Sequence, residues 1–249
     1  MFYAIKERFR ANSYARLSRE IYKGLGNYRN TAVKRFADIC LWNDVAVVFD
    51  VGANVGQFAK DLRRHSYRGL IFSFEPVSTV FERLAKNFKK DTRWHGLRLG
   101  VGSISGNFDI QISANSGLST SFLEMDKKHF ENFPESYYVR SENVRVVTLS
   151  EQIKDLGVDK AKLAIKIDVQ GFELEVLRGA QQEIADVQCL LIEVSLTSLY
   201  VGEPTLNEII SFLDNHNHKI VDIFRGVSSK AGNLLQIDVI SVRKPIVGT

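Results

Sequence analysis

The stretch Phe49-Asp50-Val51-Gly52-Ala53-Asn54-Val55-Gly56 ends the apolar run Val45, Ala46, Val47, Val48, Phe49 with an acid, then turns through two glycines into a helical pattern. A run this apolar is buried on both faces of a parallel sheet, and the glycines allow a tight turn and close backbone approach to a ligand. The stretch therefore predicts a nucleotide-containing cofactor at the mouth of a strand. A second run, Leu70-Ile71-Phe72-Ser73-Phe74, leads into Glu75-Pro76. That is the position from which an acid holds ribose hydroxyls in strand-helix-strand nucleotide sites.

A dinucleotide fingerprint wants G-x-G-x-x-G with its pyrophosphate on backbone N–H groups at a helix N-terminus. This chain has G-x-N-x-G, and Asp50 stands two residues before the first glycine. A carboxylate there repels a pyrophosphate and welcomes a cation. S-adenosylmethionine meets that demand, because its sulfonium and amino group are positive, it carries no phosphate, and its ribose diol needs an acceptor such as Glu75. The plain packing alternative is a ligand-free Gly-rich turn.

Two more apolar runs end in acids: 163–167 leads to Asp168, and 189–192 leads to Glu193. In an open parallel sheet the ligand lies outside the carboxyl ends of the strands, so Asp50, Glu75, Asp168 and Glu193 are expected to converge on one crevice. Lys166, two residues before Asp168 on the same strand face, is the expected internal counter-charge, within reach of Asp50 if their strands are neighbours. One or two of the acids would serve as caps of the following helices.

These motifs, FDVGANVGQFA, FSFEPVSTVFERLAKN, KIDVQGFELEVLRGA and LLIEVSL, resemble the FkbM-type S-adenosylmethionine-dependent methyltransferases in order and spacing, over about 45–242. The resemblance implies the class I methyltransferase fold and methylation of a hydroxyl on a sugar, polyketide or similar small, lipid-like acceptor. It also implies that Asp50, Gly52, Asn54 and Gly56 surround the methionine part, that Glu75 holds the ribose, and that Asp168 lies beside the transferred methyl. Gln170 stands where many members have glutamate, and it is given no catalytic role.

At 249 residues the chain can bury roughly 70 to 75% of its unfolded surface, enough for one domain without staples. No apolar run nears the ~20 residues that cross a bilayer, and no secretory core opens the chain, so a cytoplasmic protein is expected. Cys40 and Cys189 form no C-x-x-C pair and read as small buried residues. The net charge is +4, yet residues 1–36 hold 9 Lys+Arg against 2 Asp+Glu, a balance of +7 that leaves −3 for the rest. The basicity thus belongs to an N-terminal arm, assigned to 1–44. Its cations alternate with Phe2, Tyr3, Ile5, Phe9, Tyr14, Leu17, Ile21 and Tyr22 at near-helical spacing, which suits helices packed on the domain. A second reading rests the arm on an anionic membrane surface, peripherally.

From 45 to 249 strand and helix alternate: strands over 45–50, 70–75 and 96–101, helices over 55–65 and 77–89, a half-exposed strand over 108–112, and strands over 144–149, 163–168 and 189–193. A helix over 205–215 and a terminal strand pair over 219–224 and 234–242 complete the domain. This order predicts a doubly wound, Rossmann-like, mostly parallel α/β sheet with an antiparallel C-terminal hairpin. The segment 113–143, rich in Ser, Asn, Glu and aromatics, reads as a lid-like insertion over the cofactor edge.

Transfer to an alcohol requires alignment and removal of its proton. Asp168 and Glu193 are the candidate bases, with His129 third, while Tyr137, Tyr138 and Tyr200 are candidate acceptor contacts. No His or Asn cluster completes a cation site with the acids, so no metal is expected. Three competing readings are a nicotinamide-dependent oxidoreductase, a cofactor-binding module without chemistry, and a nucleic-acid methyltransferase. The missing third glycine opposes the first, and the acidic remainder of the chain opposes the last.

Overall fold

Every residue of Val47–Val51 is buried, and a strand with two buried faces needs neighbours on both sides and cover above and below. The computed structural model describes residues 31–115 and 119–245. Their elements run α1 (Ala32–Trp42), β1 (Val47–Val51), α2 (Gln57–Arg64), β2 (Leu70–Phe74), α3 (Ser78–Phe88), β3 (Trp94–Leu97), β4 (Gly100–Val101) and β5 (Gly106–Ser113). After these come α4 (Lys127–Asn132), β6 (Tyr138–Val147), α5 (Leu149–Asp155), β7 (Leu163–Ile167), α6 (Glu173–Arg178), β8 (Cys189–Ser195), α7 (Leu206–Asn215), β9 (His218–Arg225) and β10 (Gln236–Arg243).

Seven strands form one sheet in the order β3-β2-β1-β7-β8-β10-β9, with β10 alone antiparallel to its neighbours. The strand order reverses between β1 and β7, which opens a crevice at the carboxyl ends of those strands. This is the doubly wound class I methyltransferase sheet, with its reversed final strand pair.

The two-residue period of β1 sorts its side chains. Val47, Phe49 and Val51 join a core with Ile165, Ile167, Ile192, Val239 and the buried faces of α5, α6 and α7. Val48 points the other way, toward Phe36, Cys40, Leu62, Ile71, Ala164 and Leu191 under α1, α2 and α3. Cys40 and Cys189 are free and fully buried there, and burial pushes both thiols up.

Three expectations need correction. The compact unit begins at Ala32, so 32–44 is not part of a separate arm. Ala32, Phe36, Ala37, Ile39 and Cys40 make one buried face of α1, and that apolar stripe docks on the sheet. The arm itself, through Asn30, lies outside the described residues. The strand expected over 96–101 is broken: β3 ends at Leu97 in the large sheet, and β4 joins a second sheet of order β4-β6-β5. The 113–143 segment is also less irregular than its composition implies. β6 starts at Tyr138, five residues before the end assigned to the insertion, and pairs with β5 as far as Tyr138–Ser113. Within 114–137 lies α4, and Leu123, Met125 and Phe133 of this segment cluster with Tyr138, Leu199 and Tyr200.

Phe36→Ala removes a fully buried ring from the α1 interface and should cost about 3–5 kcal/mol. Urea unfolding of the full chain measures this, and a loss under 1 kcal/mol would show α1 to be only loosely attached.

Candidate active site

The turn after β1 takes left-handed backbone at Gly52 (φ 74°), Asn54 (φ 48°) and Gly56 (φ 88°). At Gly52 the approach is also close, since a Cβ there would lie 1.8 Å from the Asp168 carbonyl oxygen. Only glycine fits that turn. The loop's N–H groups are already spent. Gly52 and Ala53 donate to the Phe74 carbonyl (3.1 and 3.0 Å), Asn54 to Glu75 Oε2 (3.0 Å), Val55 to its neighbour Asn54 Oδ1 (2.7 Å) and Gly56 to the Ala53 carbonyl (2.9 Å). A pyrophosphate site needs such groups free.

Register explains the acid pair behind the loop. Asp50 lies opposite Ser73 on one side and Lys166 on the other. Ser73 Oγ donates to Asp50 Oδ2 (3.1 Å), and Lys166 Nζ lies 3.4 Å from both Asp50 Oδ1 and Asp168 Oδ2. The ammonium also donates to the Val51 and Gly52 carbonyls (3.2 and 2.9 Å). Burial works against its charge, but Asp168, Asp50 and Glu193 outweigh burial and hold it cationic. The expected Lys166 counter-charge is therefore present. Asp50 itself departs from expectation: it is fully buried and takes no part in the cleft lining, because the loop folds over it.

The cleft measures about 540 Å³, within the range of small-molecule sites. Gly52, Asn54, Glu75, Asp168 and Glu193 line it, whereas Gly56 sits against Phe88 and Leu84 of α3. Glu75 follows β2 and accepts from Asn54 N–H and Val77 N–H (2.9 Å). Burial nevertheless pushes its carboxyl up to about 7. Glu193 is pushed well above the ordinary range by burial and by the Asp168, Glu173 and Asp238 carboxylates. One amide ties these groups together: Gln170 Nε2 donates to Asp168 Oδ1 and Glu193 Oε2, both at 3.0 Å, while its Oε1 accepts from the Tyr200 hydroxyl (3.0 Å).

Sequence reasoning missed three residues of this end. Gln236 Nε2 donates to Glu193 Oε2 (2.8 Å), and Asp238, opposite Glu193 in the β10–β8 register, adds a carboxyl that burial raises to about 6. Glu173 Oε1 accepts from Val169 and Gly171 N–H (3.1 Å each) and so shapes the turn that carries Gln170. Two-residue alternation in 236–243 was the available signal for β10, but its pairing partner was not legible.

His129 is not a solvated loop histidine. It lies in α4, 1% exposed, among Phe130, Phe133 and Tyr200, with neither ring nitrogen hydrogen-bonded, and it lines the cleft. Burial lowers its pKa to about 4. Of the three tyrosines, Tyr137 is exposed, Tyr138 donates to the Leu123 carbonyl (2.6 Å), and Tyr200 packs on His129; none lines the cleft. Among the described residues no cluster of His, Cys, Asp or Glu has the arrangement of a metal site, and no helix is long and apolar enough to cross a membrane.

Comparison with known proteins places this arrangement. A family model described as the methyltransferase FkbM domain matches residues 50–220. Over 152 residues the chain is 28% identical to the hexuronic acid methyltransferase AglP of Haloferax volcanii, covering 59% of this chain and 55% of that protein. It is 24% identical over 173 residues to the 2-O-methyltransferase NoeI of Sinorhizobium fredii, covering 67% of this chain and 70% of that protein. It is 27% identical over 161 residues to the methyltransferase sdnD of Sordaria araneosa, covering 55% and 61%. The chain thus spans little more than half of AglP.

The raised acids set a pH dependence for the unliganded protein. Glu75 ionises near its ordinary 4.5 when unfolded and near 7 when folded, so the unfolded chain sheds the proton first. The Glu75 contribution to stability should fall as pH rises from about 4.5 through about 7, with Glu173 and Asp238 acting in the same direction and His129 and His218, both lowered to about 4, opposing it up to about 6.5. Urea midpoints at pH 5 and pH 8 for the wild type and Glu75→Gln isolate this contribution: relative to wild type, the variant should lose less stability, or gain more, between pH 5 and pH 8. An identical pH dependence in the two proteins would contradict the burial assigned to Glu75.

Proposed function

The chain belongs to the FkbM methyltransferase family, and from that premise we propose that it moves the methyl group of S-adenosylmethionine to a hydroxyl of a sugar, glycan or similar small acceptor. One observation carries the cofactor choice: every N–H of the Gly52–Gly56 turn is engaged inside the protein, so the turn has nothing to offer a pyrophosphate. Among the described residues the cleft lining adds no cation other than Lys166, which is held inward. A nicotinamide dinucleotide fits this site poorly. A phosphate-free, cationic cofactor fits it well.

Glu75 holds the ribose diol through oxygens already fixed by two backbone N–H groups. Gly52 and Asn54 pass along the methionine part, and Asp50 acts on it from beneath through Lys166 and the loop carbonyls. When bound, the cofactor supplies an activated methyl group with a neutral thioether as leaving group. Asp168 aligns the acceptor hydroxyl and takes its proton. It is the most accessible of the strand-end acids, and Lys166 and Gln170 fix both its oxygens. Burial and the neighbouring carboxylates favour the protonated form of Glu193, which suits it to a hydrogen-bonding role more than to that of a base. His129, uncharged and at the aromatic side of the cleft, is the weaker alternative base. The 2-O-methyltransferase among the relatives supports a hydroxyl acceptor, and the hexuronic acid methyltransferase supports a sugar.

Titration calorimetry should find binding of S-adenosylhomocysteine and none of NAD. NAD binding with no response to S-adenosylhomocysteine overturns the reading. Glu75→Ala should weaken that binding by about 1–3 kcal/mol through loss of charge-assisted hydrogen bonds. Asp168→Asn, which keeps shape and removes charge, should lower turnover more than affinity for S-adenosylhomocysteine, because the product has lost the sulfonium. A folded Asp168→Asn protein with full turnover would transfer the proton-accepting role to His129.

A further inference from the structure

Beyond the glycine turn, the cleft ends in a continuous wall. Asp238 stands beside Glu193, and Gln236 and Gln170 both donate to Glu193. Gln170 reaches on to Asp168 and the Tyr200 hydroxyl. The Tyr200 ring lies 4.9 Å from that of His129, which lies 5.2 Å from Phe133. Acid and amide groups thus adjoin aromatic rings along this end of the cleft.

The charge balance of this space is lopsided. Among the described residues, the cleft lining carries five carboxyl groups, Asp61, Glu75, Asp168, Glu193 and Asp238, against the single ammonium of Lys166. That ammonium is already committed to Asp50, Asp168 and two carbonyls. His129 adds no positive charge. Its two unpartnered ring nitrogens offer one neutral donor and one neutral acceptor, the pair a hydroxyl requires.

Resting on the methyltransferase reading above, we propose that the acceptor is a polyhydroxylated ring without a carboxylate, such as a neutral pyranoside, and that the same wall rejects sugars bearing one. Hydroxyl groups can donate to Asp168 and Asp238, near the rings of His129 and Phe133 that also line the cleft. A uronate in that place would set a further negative charge among acids with no free cation in the described lining to meet it, and discrimination by such repulsion is large.

The test uses the full chain saturated with S-adenosylhomocysteine at pH 8 and two matched probes: methyl β-D-glucopyranoside and methyl β-D-glucopyranosiduronate. Saturation-transfer NMR should detect the glucoside and show at least tenfold weaker affinity for the glucuronide, and Asp238→Asn should narrow that gap. A glucuronide bound as well as the glucoside overturns the proposal, as does the absence of response from both sugars. Calorimetry with S-adenosylhomocysteine on the same sample reads the cofactor assignment separately. Loss of that binding sinks the methyltransferase reading; retained binding with the wrong sugar preference sinks only the acceptor class.

Discussion

The Lys166 ammonium sits where β1 and β7 run side by side, donating to the Val51 and Gly52 carbonyls and lying 3.4 Å from Asp50 and Asp168. It thereby joins the strand end, the turn and Asp168. Two charges removed from water are expensive, and their attraction offsets that cost only when the remaining lone pairs and protons are also satisfied. Here Ser73 completes one side of Asp50, and Trp94 Nε1 donates in turn to Ser73 Oγ (2.9 Å). A polar row therefore crosses β3, β2, β1 and β7 inside an otherwise apolar layer. Losing the ammonium would leave Asp50 buried without a counter-charge and free the first carbonyls of the turn.

The rest of the cleft is shaped by residues that reach across from the second sheet and from the segment between β5 and β6. Glu142 of β6 accepts from the Ser78 N–H (2.9 Å) and hydroxyl (3.1 Å), supplying the cap that Val77 cannot give the start of α3. Ser121 Oγ donates to the Gln170 carbonyl (2.7 Å), while Asp126 N–H donates to the Leu199 carbonyl and Val201 N–H to that of Glu124. These contacts tie the segment between β5 and β6 to the Gln170 turn and to the stretch after β8. They also explain the left-handed backbone of Gln170 (φ 56°): its carbonyl and side chain are bonded in different directions, and Glu173 ties the flanking N–H groups. Strain at one residue is tolerated where the surroundings over-determine it.

The apolar runs, their terminal acids and the glycine turn were legible in the sequence because each depends on neighbours in the chain. A strand buried on both faces reads as a continuous apolar run, a tight turn reads as glycine, and two-residue alternation placed Lys166 on the same face as Asp168. The doubly wound sheet, the cleft-lining acid Glu75 after β2 and the Lys166 counter-charge follow from those local patterns. The grouping of Asp238 and Gln236 with Glu193 does not, since it depends on β10 inserting antiparallel between β8 and β9 in one register. Nor do the burial of Asp50 beneath its own loop and the neutral, enclosed state of His129. Charge state and exposure are set by what other elements bring within a few ångströms, and a sequence orders residues along the chain without stating which distant ones meet.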